Sequence, residues 1–382
     1  MRVTAQWIEC MAEIGAAEWD ALDCAGNPFL RHAFLATLES TGCVGVDTGW
    51  SPRHLLLRDD AGGLIGAVPA YEKHHSWGEF VFDWHWAQAY ARVGLDYYPK
   101  LLSAIPFTPV TGPRLLVSDR ASPAGRDALA ALLLETARER GYPGVHVNFT
   151  TPVDQDALEA VGFLRREDCR FLWRNAAYRD FDDFLARFRA DKRKKLNRER
   201  RRVAEAGIAI ETLPGEAVDS KLWAEVFAFS ERTFLQHGNA HYLSPDFLER
   251  IARGMPGTVL IMLARRSQRP VAAAIFLRGA DTLYGRYWGA SESVDCLHFE
   301  LCYYQGIEYC IRHGVAAFDP GTQGEHKLAR GFEPTPTTSA HWLADTRLRR
   351  AIERYLADER AAVARYRESC ADHLPFHRSG SA

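Results

Sequence analysis

The apolar positions of this chain form two β-hairpin patterns of the same kind. In the first half, apolar runs at residues 54–58 and 64–71 flank a short polar turn. In the second half, runs at residues 259–264 and 270–277 flank a turn of similar length. Short apolar runs on either side of a tight polar turn are typical of antiparallel hairpins. We therefore predict one hairpin in each half of the chain.

A strand and a long helix are predicted after each hairpin. The helices lie near residues 124–140 and 296–312, where apolar residues recur at helical spacing, and each ends at a glycine, Gly141 or Gly314. A further apolar strand follows in both halves and leads to a Leu about one helical turn before a Gly-Phe pair. These pairs are Gly162-Phe163 and Gly331-Phe332. The agreement indicates one α/β unit that the chain uses twice.

Residues 72–107 have no counterpart in the second half and are rich in aromatic side chains. The aromatic and histidine residues of this insert are His74, His75, Trp77, Phe80, Phe82, Trp84, His85, Trp86, Tyr90, Tyr97, Tyr98 and Phe107. One interpretation is that the insert packs as additional core, and the other is that it forms an interaction surface. In the second case Trp84, His85 and Trp86 would belong to a substrate-binding wall. The pattern leaves both interpretations open.

A strongly cationic helix is predicted over residues 181–205. Residues 187–202 hold ten cations and two acids, a local charge of +8 in a chain whose net charge is −2. Charged helices are commonly solvated faces, but this imbalance favours a polyanionic partner. A tRNA backbone, a nucleotide-linked precursor or peripheral contact with an anionic membrane surface would each fit. The candidate phosphate-binding residues are Arg193, Lys194, Lys195, Arg198, Arg201 and Arg202.

The elements suggest domain boundaries. A chain of 382 residues is long enough for two or three domains. We expect a first domain over residues 1–178 and a second over 179–346 that opens with the basic helix. A C-terminal helix over 347–368 and a loose tail over 369–382 would complete the chain.

The composition is that of a globular protein, with 47% hydrophobic and 25% charged residues. No apolar run reaches the roughly 18–20 residues of a membrane span, and the first residues lack the apolar core of a signal peptide. We therefore expect a cytoplasmic protein without a transmembrane segment. The eight cysteines include no Cys-x-x-Cys pair, so no metal site is predicted.

The densest group of reactive side chains follows the last short strand of the second half. Residues 318–332 place Asp319, Glu325, His326 and Lys327 in a loop with three glycines. Loops after the strands of α/β proteins commonly carry the active site. A carboxylate or His326 could act as a base or bind an amine, and Lys327 could hold a phosphate or carboxylate. The alternative is a loop held together by salt bridges.

His298 and Glu300 lie in the first turn of the second long helix. Alternate helix positions point about 200° apart, so only one of the two can face a given pocket. Either could supply the base that acyl transfer to an amine requires, although Glu300 could also only complement the helix dipole. Tyr304 shares the face of Glu300. No Pro-Cys-x-x-Cys follows His298-x-Glu300, which excludes a zinc deaminase. The spacing of Gly321, Gly324 and Lys327 excludes a P-loop, and the chain has no Gly-x-Ser-x-Gly elbow of a serine hydrolase.

The order of elements resembles the GNAT acyltransferase fold, and two such units joined by a basic helix resemble the FemABX aminoacyltransferases. Narrower matches lie at residues 192–208, 287–289, 298–308 and 318–332, with Asn27-Pro28-Phe29 near the start. Together they are similar, over nearly the whole chain, to the FemAB-like family labelled peptidoglycan biosynthesis/recognition. The resemblance implies an α/β fold of two tandem GNAT-like domains, each with a mixed, largely antiparallel sheet flanked by helices.

One motif departs from the GNAT pattern. GNAT enzymes that use acetyl-CoA carry Arg/Gln-x-x-Gly-x-Gly/Ala before the long helix, where backbone amides cradle the pyrophosphate. Here Arg286-Tyr287-Trp288-Gly289-Ala290-Ser291 keeps the Arg and the first Gly but ends in Ser. Aminoacyl-tRNA, the donor of the FemABX enzymes, is therefore a better candidate than acyl-CoA, and no cofactor is identified. Arg286, Tyr287, Trp288 and Tyr304 are candidate substrate-binding residues.

We predict an N-acyltransferase that moves an aminoacyl or acyl group onto an amine of a small molecule or peptide. The resemblance implies cell-wall precursor metabolism as its setting, and we expect the second domain to carry most of the site. Two other functions stay open. One is a degenerate, non-catalytic member that binds RNA or a wall precursor, and the other is an acyl-CoA-dependent N-acetyltransferase of small molecules.

Overall fold

The computed structural model describes residues 3–119, 125–322 and 324–377. The chain divides into two compact units. The first comprises residues 1–169 and 336–365, and the second comprises residues 170–335 and 366–382. Each unit is thus completed by a later part of the chain. Among the described residues, none of the helices combines the length and apolar character that crossing a membrane requires.

The strands are β1 (Thr4–Ile8), β2 (Trp50–Pro52), β3 (His54–Arg58), β4 (Leu64–Val68), β5 (Tyr71–Lys73), β6 (Lys100–Ser103), β7 (Leu116–Val117), β8 (Gly144–Thr150), β9 (Leu164–Arg174), β10 (Ile208–Pro214), β11 (Val259–Arg266), β12 (Arg269–Arg278), β13 (Thr282–Ala290), β14 (Ala317–Asp319) and β15 (Glu333–Leu343). The α-helices are α1 (Ala16–Trp19), α2 (His32–Ser40), α3 (Trp84–Arg92), α4 (Gly125–Glu139), α5 (Pro152–Ala160), α6 (Phe181–Ala186), α7 (Ala190–Glu205), α8 (Ser220–Gln236), α9 (Pro245–Gly254), α10 (Leu297–Phe299), α11 (Gln305–His313) and α12 (Thr346–Asp372). Short 3-10 helices at Met11–Glu13, Pro28–Leu30, Val46–Thr48, Gly215–Ala217 and Glu325–Arg330 and a π-helical turn at Glu300–Tyr304 lie between them.

Two groups of strands form the sheet structure of the first unit. β1, β3, β4 and β7 pair antiparallel in that order. β2, β5, β6, β8 and the end of β15 form the other group, in which only the pair of β6 and β8 is parallel. Helix α4 places Leu129 and Leu133 in a core with Val145, Val147 and Trp342. The predicted hairpin is thus formed by β3 and β4.

The second unit repeats this plan more simply. β10, β11, β12 and β13 pair antiparallel, β14 pairs parallel with β13, and the end of β9 pairs antiparallel with β14. Helix α8 packs so closely on β13 that a Cβ at Gly289 would overlap the carbonyl group of Phe229. The second predicted hairpin is formed by β11 and β12.

The Gly-Phe pairs end equivalent helical turns in the two units. Gly162 and Gly331 have φ angles of +97° and +85°, which strongly favour glycine. The amide of Phe163 donates to the carbonyl of Leu158 at 3.0 Å, and that of Phe332 donates to Lys327 at 3.2 Å. Both Phe side chains are buried. The local sequence therefore dictates the same helix ending twice.

Several helices differ from the prediction in their extent. The helix expected over 181–205 is wrong as a single element, because α6 and α7 are separated by a break at which Phe188 is buried and pairs with Phe376. The second long helix contains the π-helical turn, and the first begins at Gly125, since Ala124 lies outside the described residues. α12 continues to Asp372, and residues 378–382 of the expected tail also lie outside the described residues.

The aromatic insert supplies α3 and β6 to the first unit. Trp86, Tyr90 and Tyr97 are buried in a cluster with Ile352 and Leu356 of α12. Trp77 and Phe82 are instead 57% and 52% exposed. The insert therefore contributes both additional core and exposed aromatic surface.

Candidate functional site

In the second unit two parallel strands pair over three positions only, and we call the region where this pairing stops the β13–β14 wedge. β13 and β14 pair only over Thr282–Tyr284 and Ala317–Asp319, after which β13 continues to Ala290. The pairing of β13 with β12 shifts register at Arg286, which is the position of a β-bulge. Past these pairs the polar loop follows β14, and the long helix begins after β13. This end of the sheet therefore brings together the two segments that carry most of the candidate residues.

Two histidines meet at this end of the wedge. His298 of α10 and His326 of the 3-10 helix Glu325–Arg330 have ring centroids 6.3 Å apart. The Trp288 ring of β13 lies edge-on to His298, with centroids 5.1 Å apart. Three predicted residues from three separate elements thus share one location.

Both histidine side chains favour the neutral form. Burial, followed by the nearby His326, Arg330 and Lys327, lowers the pKa of His298 to about 4. Burial, Lys327 and Arg330 also lower the pKa of His326. A neutral imidazole offers one lone pair and one N–H group. The pair can therefore accept a proton at one ring and donate a hydrogen bond from the other.

Asp319 and Lys327 hold the loop after β14. Asp319 is buried at the strand end, where the buried guanidinium of Arg170 and the amide of Gly321 donate to its carboxylate. Lys327 is buried too, and its Nζ donates to the carbonyl oxygens of Gly321 at 2.7 Å and Thr322 at 3.1 Å. Burial, and next to it the charge of Arg170, lowers the pKa of Lys327 to about 7. In this arrangement both side chains have partners within their own unit.

Glu300 and Tyr304 face helix α7 and not the two histidines. Arg200 donates to both carboxylate oxygens of Glu300 at 3.1–3.2 Å. The Tyr304 hydroxyl donates to Glu199, which also accepts from Arg330 at 2.9 Å. This buried network fixes the basic helix to the long helix. His298 and Glu300 consequently have different surroundings, although they are two residues apart.

The remaining candidates of the second unit lie at other places. Tyr287 points to a cluster formed by Phe234 and His241, with the His241 ring centroid 5.1 Å away. Arg286 lies beside Tyr287, with its Cζ 5.6 Å from the ring centroid, and burial lowers its pKa. Glu325 is exposed and accepts a hydrogen bond from Tyr366 at 3.1 Å.

The candidates of the aromatic insert belong to the first unit. Trp86 is buried edge-on against His341, with ring centroids 4.9 Å apart. Trp84 is half-buried against Trp77, and His85 is exposed beside Tyr355. The insert thus places these three neighbours in three different environments.

The cations of α7 are divided between paired and unpaired side chains. Lys195 and Arg202 have carboxylate neighbours, Glu199 at 4.0 Å and Asp295 at 2.5 Å. Within the described part of the chain, the other four candidates have no ion-pair partner and are exposed. These four are Arg193, Lys194, Arg198 and Arg201. The solvent face of α7 therefore carries four cations that lack an ion-pair partner among the described residues.

Sequence reasoning missed Tyr303, Arg170 and Arg330. The Tyr303 hydroxyl lies 2.8 Å from Nε2 of His326, and the Arg330 guanidinium stacks on Phe299 with its Cζ 3.4 Å from the ring centroid. Tyr303 stands next to the candidate Tyr304, but only the π-helical turn decides which of the two faces the histidines. The described residues include no group of three or more His, Cys, Asp or Glu side chains that could hold a metal ion.

Comparison with known proteins supports the fold. A model of the FemAB-like family, described as peptidoglycan biosynthesis/recognition, matches residues 10–378. A search of the curated proteins finds no match to this chain.

Solved structures align over most of the chain at low identity. FemX aligns with a TM-score of 0.55 and 13% identity over 91% of this chain and 100% of its own. The C-terminal domain of a putative lysylphosphatidylglycerol synthetase from Agrobacterium fabrum aligns with a TM-score of 0.52 and 10% identity, over 84% and 90% of the two chains. L-PGS from Bacillus licheniformis aligns with a TM-score of 0.51 and 10% identity, over 81% of this chain and 90% of its own. The predicted α/β fold of tandem GNAT-like units is confirmed.

Proposed function

Because the chain belongs to the FemAB-like family, we propose that it is an N-acyltransferase that moves an aminoacyl or acyl group onto an amine. The observation that carries this proposal is the meeting of His298 and His326 at the β13–β14 wedge, where Trp288 lies edge-on to His298. The family description supports a peptidoglycan precursor as the acceptor, and the likeness to a lysylphosphatidylglycerol synthetase domain adds amines of lipid metabolism as candidates.

The chemistry needs few groups. The amine nitrogen attacks the acyl carbon, the carbonyl oxygen becomes negative, and the leaving group departs with the electron pair of its bond to that carbon. The amine must lose a proton, and the leaving group must gain one. A neutral histidine can accept the amine proton, while an N–H directed at the carbonyl oxygen stabilises the negative charge. His298 and His326 supply one group of each kind.

The loop before the long helix favours an ester donor such as aminoacyl-tRNA over acyl-CoA. Ser291 stands where the motif has Gly or Ala, the acidic residues Glu292 and Asp295 follow it, and Glu292 pairs with Arg266 at 2.8 Å. Carboxylates beside a helix N-terminus oppose the binding of a pyrophosphate. Gly289, the glycine that the motif retains, is explained by the close packing of α8.

A non-catalytic role is the second candidate, and the unpaired cations of α7 favour it. A surface of this kind binds phosphate-rich partners without chemistry. An RNA or a nucleotide-linked precursor held there would satisfy the family description equally well. Consumption of a donor over time distinguishes the two functions, since a binding protein leaves its ligand intact.

The test is transfer by the purified full chain. A mixture of charged tRNAs with radiolabelled amino acids is incubated with a lysine-containing peptidoglycan precursor, and base-stable amide product is measured. A parallel reaction contains labelled acetyl-CoA. We expect product from the tRNA mixture, and a rate loss on the order of 100-fold or more in His298→Gln and His326→Gln.

The matched control is His237→Gln, which changes an exposed histidine at the end of α8. It should retain the full rate. Undiminished transfer by both site variants would show that the site is wrongly assigned. Absence of product with every donor, together with retained tRNA binding, would favour the non-catalytic candidate.

A further inference from the structure

Tyr303 is the buried group closest to the reactive edge of His326. Its hydroxyl lies 2.8 Å from Nε2 of His326, and only 4% of the residue is exposed. The ring is stacked on Phe299 with centroids 6.2 Å apart and meets Phe332 edge-on at 5.5 Å. These contacts leave the phenol one orientation, in which its oxygen points at the imidazole.

The direction of this hydrogen bond follows from what each group can do. Burial raises the pKa of Tyr303, so the phenol keeps its proton. A buried phenolic O–H requires an acceptor, and within the described residues the structure gives it only Nε2 of His326. The phenol must therefore donate, and Nε2 must present its lone pair.

The tautomer of His326 is then determined. Partial burial and the charges of Lys327 and Arg330 lower the pKa of the ring, which is therefore neutral at pH 7. A neutral imidazole carries one proton, which must lie on Nδ1 when Nε2 accepts from Tyr303. No described residue lies within hydrogen-bond distance of this N–H group, and the His326 side chain is exposed.

We propose that Tyr303 is a positioning residue that holds His326 in the Nδ1–H tautomer, so that His326 donates a hydrogen bond to the carbonyl oxygen of the acyl donor. This inference rests on the proposed function and gives the two histidines different roles in the reaction. His326 stabilises the developing oxyanion without transferring a proton. His298, whose ring contacts Trp288 and Tyr303, is left to accept the proton of the amine.

Tyr303 lies beside His326 in the π-helical turn Glu300–Tyr304. A π-helical turn inserts one extra residue into a helix and is frequent at functional sites. Within this turn the two adjacent tyrosines have different partners. Tyr303 contacts His326, and Tyr304 contacts Glu199 of the basic helix.

The first test measures the tautomer and needs no substrate. Nitrogen-15 spectra of histidine-labelled protein report which ring nitrogen carries the proton, and His326→Gln identifies the signal. We expect Nδ1 of His326 to be protonated in the unmodified chain. In Tyr303→Phe, which keeps the ring and removes only the hydroxyl, the signal should shift towards a mixture of tautomers. A protonated Nε2 in the unmodified chain would overturn the inference.

The second test uses the transferase assay. Tyr303→Phe should lower kcat by roughly 10–100-fold, the usual effect of removing an orienting partner, with little change in KM. The control is Tyr309→Phe on the same helix, a buried ring whose hydroxyl lies 3.4 Å from Arg278. It should leave kcat and the His326 signal unchanged. An unchanged kcat in Tyr303→Phe would overturn the assignment of Tyr303 to the reaction.

The two readouts separate the inference from the proposed function. If the tautomer is as expected but no donor is consumed by the unmodified chain, the function is wrong and the orientation of His326 stands. If transfer occurs and depends on His326 while Nε2 carries the proton, the function stands and the role of Tyr303 is wrong.

Discussion

Two buried lysines lie opposite each other on neighbouring strands of the first unit. Replacing them by Met should have different effects on the stability of the unit. Lys73 of β5 and Lys100 of β6 are direct cross-strand partners. Lys100 donates to Glu79 at 2.9 Å and Asp83 at 2.5 Å. Lys73 has no carboxylate partner at this distance among the described residues and lies over the Trp50 ring, with Nζ 3.8 Å from its centroid. We expect Lys100→Met to destabilise the unit strongly and Lys73→Met to be neutral or stabilising.

The magnitude for Lys100 follows from its two partners. All three charged side chains are buried, so Lys100→Met leaves two carboxylates without a cation. Breaking a buried ion pair by removing one partner costs about 3–5 kcal/mol. For a unit of this size, each kcal/mol shifts the midpoint of thermal unfolding by about 2–4 °C, which gives a fall of roughly 6–20 °C.

The pH dependence adds a second signature. Burial raises the pKa of Glu79 to about 7 even with Lys100 present. A carboxyl group with a raised pKa in the folded state contributes stability below its unfolded pKa, and this contribution is lost as the pH rises through the folded value. Removal of Lys100 raises that pKa further. The stability deficit of Lys100→Met should therefore be larger at pH 8 than at pH 5.

For Lys73 the dependence of stability on pH has the opposite sign. Burial, and after it the charge of Lys100, lowers the pKa of Lys73 to about 7. A lysine whose folded pKa is lowered loses stability as the pH falls through that value, because the buried ammonium is then charged. Lys73→Met removes this cost, so any gain in stability should be larger at pH 6 than at pH 9.

The measurement is thermal unfolding of the full chain, followed by tryptophan fluorescence at pH 5, 6, 8 and 9. A triple variant, Lys100→Met with Glu79→Gln and Asp83→Asn, should recover most of the loss, since it leaves no unpaired charge. Equal effects of Lys100→Met and Lys73→Met at pH 8 would refute the reasoning, because both lysines would then contribute through packing alone.

Two further predictions concern the second unit. Gly289→Ala should destabilise the second unit by about 1–3 kcal/mol and lower the rate of transfer, because the added Cβ overlaps the backbone of α8. The control is Gly254→Ala, whose Cβ meets nothing within 4 Å and which should leave thermal unfolding unchanged. Replacing the four unpaired α7 cations by Gln should weaken binding of bulk tRNA and reduce the slope of log affinity against log salt by about 3. The exposed, paired Arg179→Gln should leave that slope unchanged, and an unaltered slope in the fourfold variant would exclude α7 as the polyanion site.

The order of elements could be predicted because it depends on local chemistry. The hairpins at β3–β4 and β11–β12 follow from apolar runs around polar turns, and Gly141 and Gly314 adopt the positive φ angles expected of helix-ending glycines. Such signals lie within a few residues of the structure they specify. The break before α7 has no signal of this kind, since it depends on Phe188 meeting Phe376 almost two hundred residues later.

The sequence identified residues of the candidate site but not which of them lie together in the fold. His298, His326 and Trp288 were all foreseeable as polar or aromatic residues next to strand ends and a helix start. Their convergence depends on where β13 and β14 part, which pairing alone decides. Arg170 of β9 pairs with Asp319, which lies 149 positions later in the chain, and no local sequence pattern predicts such an ion pair.

The duplication explains why chemistry is expected in only one of the units. In the second unit the pairing of β13 with β14 stops after three positions. In the first unit β8 pairs parallel with β6, which lies within the aromatic insert, and residues 104–110 after β6 are all buried. Arg114 is buried there too and donates to the carbonyl groups of Val110 and Gly112. Because this segment uses its buried cation to hold its own backbone, whereas the loop after β14 leaves the His326 ring exposed, we expect the reaction in the second unit.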